Sequence, residues 1–243
     1  VTGMRTLRAL CLDLDDTILD DQSSVEQGWQ QAADHWVEAC PQLTREAAFA
    51  ELARARRWYW EDEVRERRGR LDLYAARFQI MSRALERVGP PAPQLAAALA
   101  RELTDYREAS VRLVPGAREL LARLRAVVPR MALVTNGATA PQRAKIERFA
   151  LADFFDHIQV EGEFGAGKPE RRVYEHVLKR LGTAAHESMM VGDNFVCDVI
   201  GPLALGMRAA WVDASGTGRS PQPASRPHLT LRSILELADH LDF

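Results

Sequence analysis

The stretch LCLDLDDTILD runs from Leu10 to Asp20. An apolar, strand-like run hands over to Asp13, Asp15, Asp16 and Asp20 within a few positions. Carboxylates this close repel one another, and burial raises the cost of each. Either water solvates the group or something positive belongs there. Asp13 follows ALCL, so it is expected to be partly buried, which favours the second reading. Asp13 and Asp15 are two apart, so on an extended chain they point the same way, at the strand's carboxyl end. Asp20 and Asp21 lie past this knot and read as solvated loop charges.

Working outward, similar short apolar runs recur with helical patterns between them. They are LRALCLDL (Leu7–Leu14), RMALVTN (Arg130–Asn136), DHIQVEG (Asp156–Gly162), SMMVGD (Ser188–Asp193) and RAAWVD (Arg208–Asp213). Between strands, Leu120, Leu121 and Leu124 share one helix face. Val173, Val177, Leu178 and Leu181 share another, with Gly182 as the stop. This alternation predicts an α/β fold, a doubly wound parallel sheet with helices on both faces. Sites in such sheets gather at the strand carboxyl ends.

One interval, residues 20–112, is helical only. Ser23 and Glu26 match the S-x-x-E capping box, followed by Trp29, Ala32, Ala33, Trp36, Val37 and Cys40 at helical spacing. A second face runs Leu71, Tyr74, Ala75, Phe78, Met81, Leu85, Val88 up to GPPAP, and a third runs Leu95, Ala98, Leu99, Leu103, Tyr106. The reading is a helical bundle, 20–112, inserted into an α/β core of residues 1–19 and 113–243. Its place directly after the acidic knot makes it an expected cap domain. In RARRWYWEDEVRERRGR (Arg54–Arg70), Trp58 and Trp60 are expected to pack inward from a charged helix. The rival reading is a surface meeting an anionic or ring-bearing substrate, with Arg57, Trp60 and Arg77 as candidate contacts.

Other strand ends add complementary groups: Thr135 and Asn136 in LVTNG, Lys168 in GKPE, Asp193 and Asp198 in GDNFVCD. Carboxylates without a usable His/Cys cluster select a hard cation such as Mg²⁺, held by Asp13, Asp15 and Asp193. Such an ion relieves their repulsion and lets an anionic carboxylate approach an anionic phosphate. Thr135, Asn136 and Lys168 are the matching phosphate-binding groups.

This ordered set resembles the haloacid dehalogenase (HAD) superfamily over nearly the whole chain: DLDDT, LVTNG, GKPE and GDNFVCD in that order. The insertion looks like the family's C1-type helical cap. TNGATAPQRAKIERFAL and GDNFVCDVIGPLALGMRAAWV look most like the N-acylneuraminate-9-phosphatase and pyrimidine 5′-nucleotidase branch. The resemblance implies Asp13 as nucleophile and Asp15 as general acid and base. It implies a metal site from Asp13, the Asp15 carbonyl and Asp193, with Asp198 orienting Lys168 or a metal-bound water. Backbone amides of Leu14 and Asp16 would also reach the phosphate. Asp16 stands where many members carry Gly.

The remaining features are weaker. GEFGAGKP contains G-x-x-x-x-G-K, but Pro169 stands where a P-loop needs Ser or Thr. Pro169 instead suits the first turn of the next helix. Cys11, Cys40 and Cys197 form no CxxC pair and read as reduced thiols. The chain has 32 basic and 34 acidic residues, without the basic excess of a nucleic-acid binder. The N-terminal stretch shows no signal-peptide pattern and no run is long enough to span a membrane, so a cytoplasmic protein is expected. ASGTGRSPQPASRPH (Ala214–His228) reads as a loop.

The expected function is a Mg²⁺-dependent phosphatase acting on a small phosphorylated metabolite, a sugar phosphate or nucleoside monophosphate, through an aspartyl-phosphate. The alternatives on the same scaffold are a 2-haloacid dehalogenase, a phosphomutase or a non-catalytic binding protein.

Overall fold

The computed structural model describes residues 7–216, 222 and 225–240. The first six residues of the N-terminal reading, and positions 217–221, 223 and 224 of the expected loop, lie outside these. The chain divides into two compact units, residues 1–20 with 112–243, and residues 21–111.

In chain order, strand β1 (Ala9–Leu12) leads through the Asp13–Asp16 turn to β2 (Leu19–Asp20). Helices α1 (Val25–Ala39), α2 (Arg45–Trp60), α3 (Glu63–Leu71), α4 (Leu73–Glu86) and α5 (Pro93–Ser110) form the second unit. The chain re-enters the first unit at β3 (Arg112–Leu113), followed by α6 (Ala117–Val127), β4 (Arg130–Thr135), α7 (Thr139–Arg148) and β5 (His157–Val160). Then come α8 (Glu161–Phe164), α9 (Arg171–Leu181), β6 (Ser188–Gly192), a π-helical turn over Phe195–Ile200, α10 (Gly201–Ala204), β7 (Arg208–Val212) and β8 (Leu229–Leu231).

The six-stranded sheet has the order β5-β4-β1-β6-β7-β8, and each pairing is parallel. β1 is central, with Leu12 beside Leu133 on one side and Val191 on the other. It is buried on both faces, which is why ALCL is apolar throughout rather than alternating. Ala9 and Cys11 pack on one face with Val173, Tyr174, Val177, Leu178 and Leu181 of α9, and successive side chains alternate, so Leu10 and Leu12 turn to the other. Gly182 ends α9 at φ 66°, the left-handed stop its position predicts. The chain proceeds from β1 to one side of the sheet (β4, β5) and returns to the other (β6, β7, β8). The crevice at this reversal of order is where ligands bind in open parallel sheets.

The helical unit has its own core. Trp36, Tyr59, Leu52, Ile80, Met81 and Leu99 are almost completely buried there. Several local expectations need correction. Ser23 and Glu26 do not open α1: a 3-10 turn covers Gln22–Ser24, and Ser24 takes the N-cap position without a side-chain cap bond. The charged run Arg54–Arg70 is not one helix. Asp62 caps α3 by accepting from the Arg65 amide, so α2 and α3 are separate. Tyr59, not Trp58 or Trp60, points fully inward, and the two tryptophans are only partly buried. Trp58 has the guanidinium groups of Arg65 and Arg83 over its ring, at 4.2 and 4.3 Å from the centroid. Leu71 and Val88 are exposed, because α3 ends at Leu71 and α4 at Glu86. Asp21 is not a solvated loop charge: it accepts from Arg107 at 2.8 Å. Asp20 belongs to the β2–β3 ribbon, opposite Arg112. Pro169 lies before the N-cap of α9, Glu170, rather than in its first turn.

Candidate active site

The ends of three strands, β1, β4 and β6, and the segment that follows α8 bring the site together. Asp13 continues β1, and its amide donates to the Val191 carbonyl of β6 at 2.9 Å. The chain then turns sharply, with the amides of Ile18 and Leu19 both donating to the Leu14 carbonyl. The turn requires a left-handed residue, and Asp16 takes that conformation at φ 55°. Aspartate tolerates this region better than most residues, so it can stand where glycine is common.

Lys168 lies beyond β5 and is 2% exposed. Its ammonium donates to Asp13 Oδ1 at 2.8 Å and to Asp198 Oδ1 at 2.6 Å. Asn136, at the end of β4, grips the Lys168 backbone from both sides. Its Nδ2 donates to the Lys168 carbonyl at 2.8 Å, and its Oδ1 accepts from the Lys168 amide at 2.7 Å. The Asn136 side chain therefore places the lysine rather than presenting its amide outward.

Asp198 is completely buried in the π-helical turn after β6, a helix form often found at functional sites. Its Oδ2 accepts from the Asn194 amide at 3.0 Å. Asp193 sits at the end of β6, and Trp211 Nε1 donates to its carbonyl at 2.9 Å. Carboxylate oxygens of Asp13, Asp193 and Asp198 all lie within 4.8 Å of one another. At an effective dielectric of 20, one like-charged pair at that distance costs roughly 3 kcal/mol. Burial pushes the Asp13 carboxyl up to about 7, against the pull of Lys168 and with Asp198 adding to it. Burial, then Asp13 and Asp198, push Asp193 up to about 8. Burial alone would lower Lys168, but Asp13 and Asp198 outweigh it and hold the ammonium charged. Three carboxylates against one ammonium leave room for a cation. The donors are all oxygens, which fits a hard ion such as Mg²⁺.

Asp15 does not share the Asp13 cluster. Its Oδ1 accepts from Lys145 Nζ at 2.7 Å and its Oδ2 from Gln142 Nε2 at 2.9 Å. Gln142 Nε2 is also 2.5 Å from Thr135 Oγ1. Lys145 and Gln142 are absent from the motif-based reading. Their signal was two polar residues three apart in the helix that follows LVTNG. Trp211, Asn194 and Glu161, whose Oε2 accepts from the Gly137 amide at 2.9 Å, are further supports that the motifs do not mark. Of the residues expected to contact substrate from the helical unit, Arg57 is exposed, while Trp60 and Arg77 are half-buried. Burial, with Arg107 adding to it, lowers the Arg77 guanidinium to about 10.

A central parallel strand that delivers a buried aspartate to a buried lysine, with two more aspartates from a neighbouring strand end, defines an α/β protein built for carboxylate chemistry at the sheet's crevice. A model of the haloacid dehalogenase-like hydrolases matches residues 7–206, and the chain belongs to that family. It is 32% identical to the phosphoserine phosphatase of Thermus thermophilus, over 95% of this chain and 98% of that protein. It is 28% identical to the N-acylneuraminate-9-phosphatase of Mus musculus, over 97% and 94%. Among solved structures, the HAD hydrolase YfnB of Bacillus subtilis, bound to magnesium, has the same fold. The TM-score is 0.72 at 23% identity, covering 98% of this chain and 99% of that one. Among the described residues, no helix is long and apolar enough to cross a membrane.

Proposed function

We propose that this protein is a phosphatase that hydrolyses a small phosphorylated metabolite with Asp13 as its nucleophile. The observation that carries the reading is the buried Lys168–Asp13 pair, 2.8 Å apart, beside Asp193 and Asp198. The phosphatase names of the relatives support the class of bond.

The side chains of Asp13 and Asp193 and the carbonyl of Asp15 would hold Mg²⁺. When bound, the ion supplies positive charge against the phosphate oxygens, so that an anionic nucleophile can approach an anionic ester. The chain's own residues account for the rest. An Asp13 carboxylate oxygen bonds to phosphorus as the ester P–O bond breaks, giving an aspartyl-phosphate. Asp15 protonates the leaving alkoxide, then takes a proton from the water that attacks phosphorus, which frees phosphate and restores Asp13. Lys168 keeps its charge beside the reacting oxygens because Asp198 and Asn136 hold it there. The Thr135 hydroxyl and the amides of Leu14 and Asp16 donate to phosphoryl oxygens.

The test is a panel of phosphorylated metabolites incubated with the purified chain and Mg²⁺, reading released phosphate. Release that disappears with EDTA and returns with Mg²⁺ supports the proposal. Full turnover in metal-free buffer, or release from none of the esters, contradicts it. Chloride release from 2-chloropropionate would then point to dehalogenation.

A further inference from the structure

Helix α7 begins four residues after Thr135 and carries Gln142 and Lys145 three positions apart, so they lie on one face. Lys145 donates to one oxygen of Asp15 and Gln142 to the other, at 2.7 and 2.9 Å. A carboxylate held at one oxygen still swivels about its terminal bond. One held at both oxygens by separate side chains has a fixed plane. The holders are themselves confined, since Gln142 is 3% exposed and the Lys145 side chain 16% exposed. This is unlike a solvated surface ion pair, whose long side chains reorient freely. Gln142 also approaches Thr135 Oγ1 at 2.5 Å. A hydroxyl that accepts from Gln142 must direct its own proton elsewhere. Its one described acceptor is the Asn136 carbonyl, at a long 3.3 Å. That leaves the proton available to a phosphoryl oxygen.

We propose that Lys145 and Gln142 are positioning residues: together they aim the Asp15 carboxyl for its proton transfers, and Gln142 sets the Thr135 hydroxyl in the same contact. This rests on the phosphatase reading. A bland alternative gives Lys145 a role in fold stability alone, and a sharper one makes it a direct ligand of the substrate phosphate. All three place a cation at the site, but they differ in how its loss depends on the leaving group and on Asp15.

A sugar alkoxide needs a proton as the P–O bond breaks, whereas p-nitrophenolate leaves with little help. The experiment measures kcat and KM for glycerol phosphate and p-nitrophenyl phosphate, with Mg²⁺ present. The proteins are wild type, Lys145→Gln, Lys145→Arg, Gln142→Leu, Asp15→Asn and the double variant Asp15→Asn/Lys145→Gln. Lys145→Gln is expected to lower kcat on glycerol phosphate about tenfold and on p-nitrophenyl phosphate less than about threefold, with KM little changed. Lys145→Arg should restore most of the loss. Gln142→Leu should show the same leaving-group dependence with a raised KM, because Thr135 loses its partner too. In the Asp15→Asn background, Lys145→Gln should add less than about twofold, since residues acting through one another are not additive. Equal losses on both substrates, a raised KM with unchanged kcat for Lys145→Gln, or a full additional loss in the Asp15→Asn background would overturn the inference. Failure of the phosphatase reading is seen separately, as a wild-type protein that releases no phosphate from either ester.

Discussion

Lys168 and Asp198 face each other across 2.6 Å with almost no access to water, the lysine 2% exposed and the aspartate wholly buried. The same ammonium holds Asp13 at 2.8 Å. A buried pair of this kind adds little net stability, because desolvation offsets most of the attraction. What it does is fix a positive charge next to Asp13, at a place where an ordinary surface lysine would wander. Removing one partner is a different matter, since it strands the others in the interior.

Lys168→Met is therefore expected to destabilise the protein by about 3–5 kcal/mol, the range for breaking a buried pair from one side. Urea unfolding read by circular dichroism measures it. A change under about 0.5 kcal/mol would mean that water reaches Asp13 and Asp198 freely.

Gly192 is set by the same pair. A β-carbon there would lie 2.3 Å from the Asp198 carboxyl carbon, so Asp198 reaches Lys168 only over a glycine. Gly192→Ala should cost about 1–3 kcal/mol through overpacking. It should also lower phosphate release at temperatures where the variant is still folded. Wild-type activity together with wild-type stability would show that the aspartate has another place to go.

Asp13→Asn should leave the fold intact and reduce turnover by at least ~10³-fold, as expected when a covalent nucleophile is removed. Steady-state phosphate release and thermal unfolding check the two halves of this. Mass spectrometry must first exclude deamidation back to aspartate.

The helical unit offers an independent check on its core. Trp36 is 1% exposed among Trp29, Leu52, Ile80 and Leu99. Trp36→Ala should cost about 3–5 kcal/mol by leaving a cavity. A loss below about 1 kcal/mol in urea unfolding would show that the surrounding side chains collapse into the space.

The strands of the sheet were legible because each is a short, continuous apolar run ending in a polar residue. Asp13, Thr135 and Asp193 stand at those ends, and Lys168 is marked by GKPE ahead of a helix; the fold brings Asp13 together with Lys168 and Asp193. The short pieces were not legible. Two residues each in β2 and β3 and three in β8 carry no periodicity to read. The break between α2 and α3 was hidden because arginine and glutamate run across it and only the Asp62 cap marks it. Tyr59 sits between two tryptophans of equal apolar weight, and sequence offers no means of ranking the three. The position of Asn136 suggests a phosphate donor, whereas its side chain holds the Lys168 backbone. Lys145 and Gln142 were invisible because a polar pair on a helix ordinarily signals a solvated face.

In the proposed mechanism the phosphoryl group passes through Asp13. By the same mechanism Asp15→Asn should slow attack by water, so that a covalent intermediate accumulates and can be trapped. The variant is mixed with ³²P-labelled p-nitrophenyl phosphate and Mg²⁺, quenched in acid within one turnover, and digested for peptide mapping. Acid-stable, hydroxylamine-labile label is expected on the peptide containing Asp13. Phosphate release without any bound label, or label on a different residue, would contradict that mechanism.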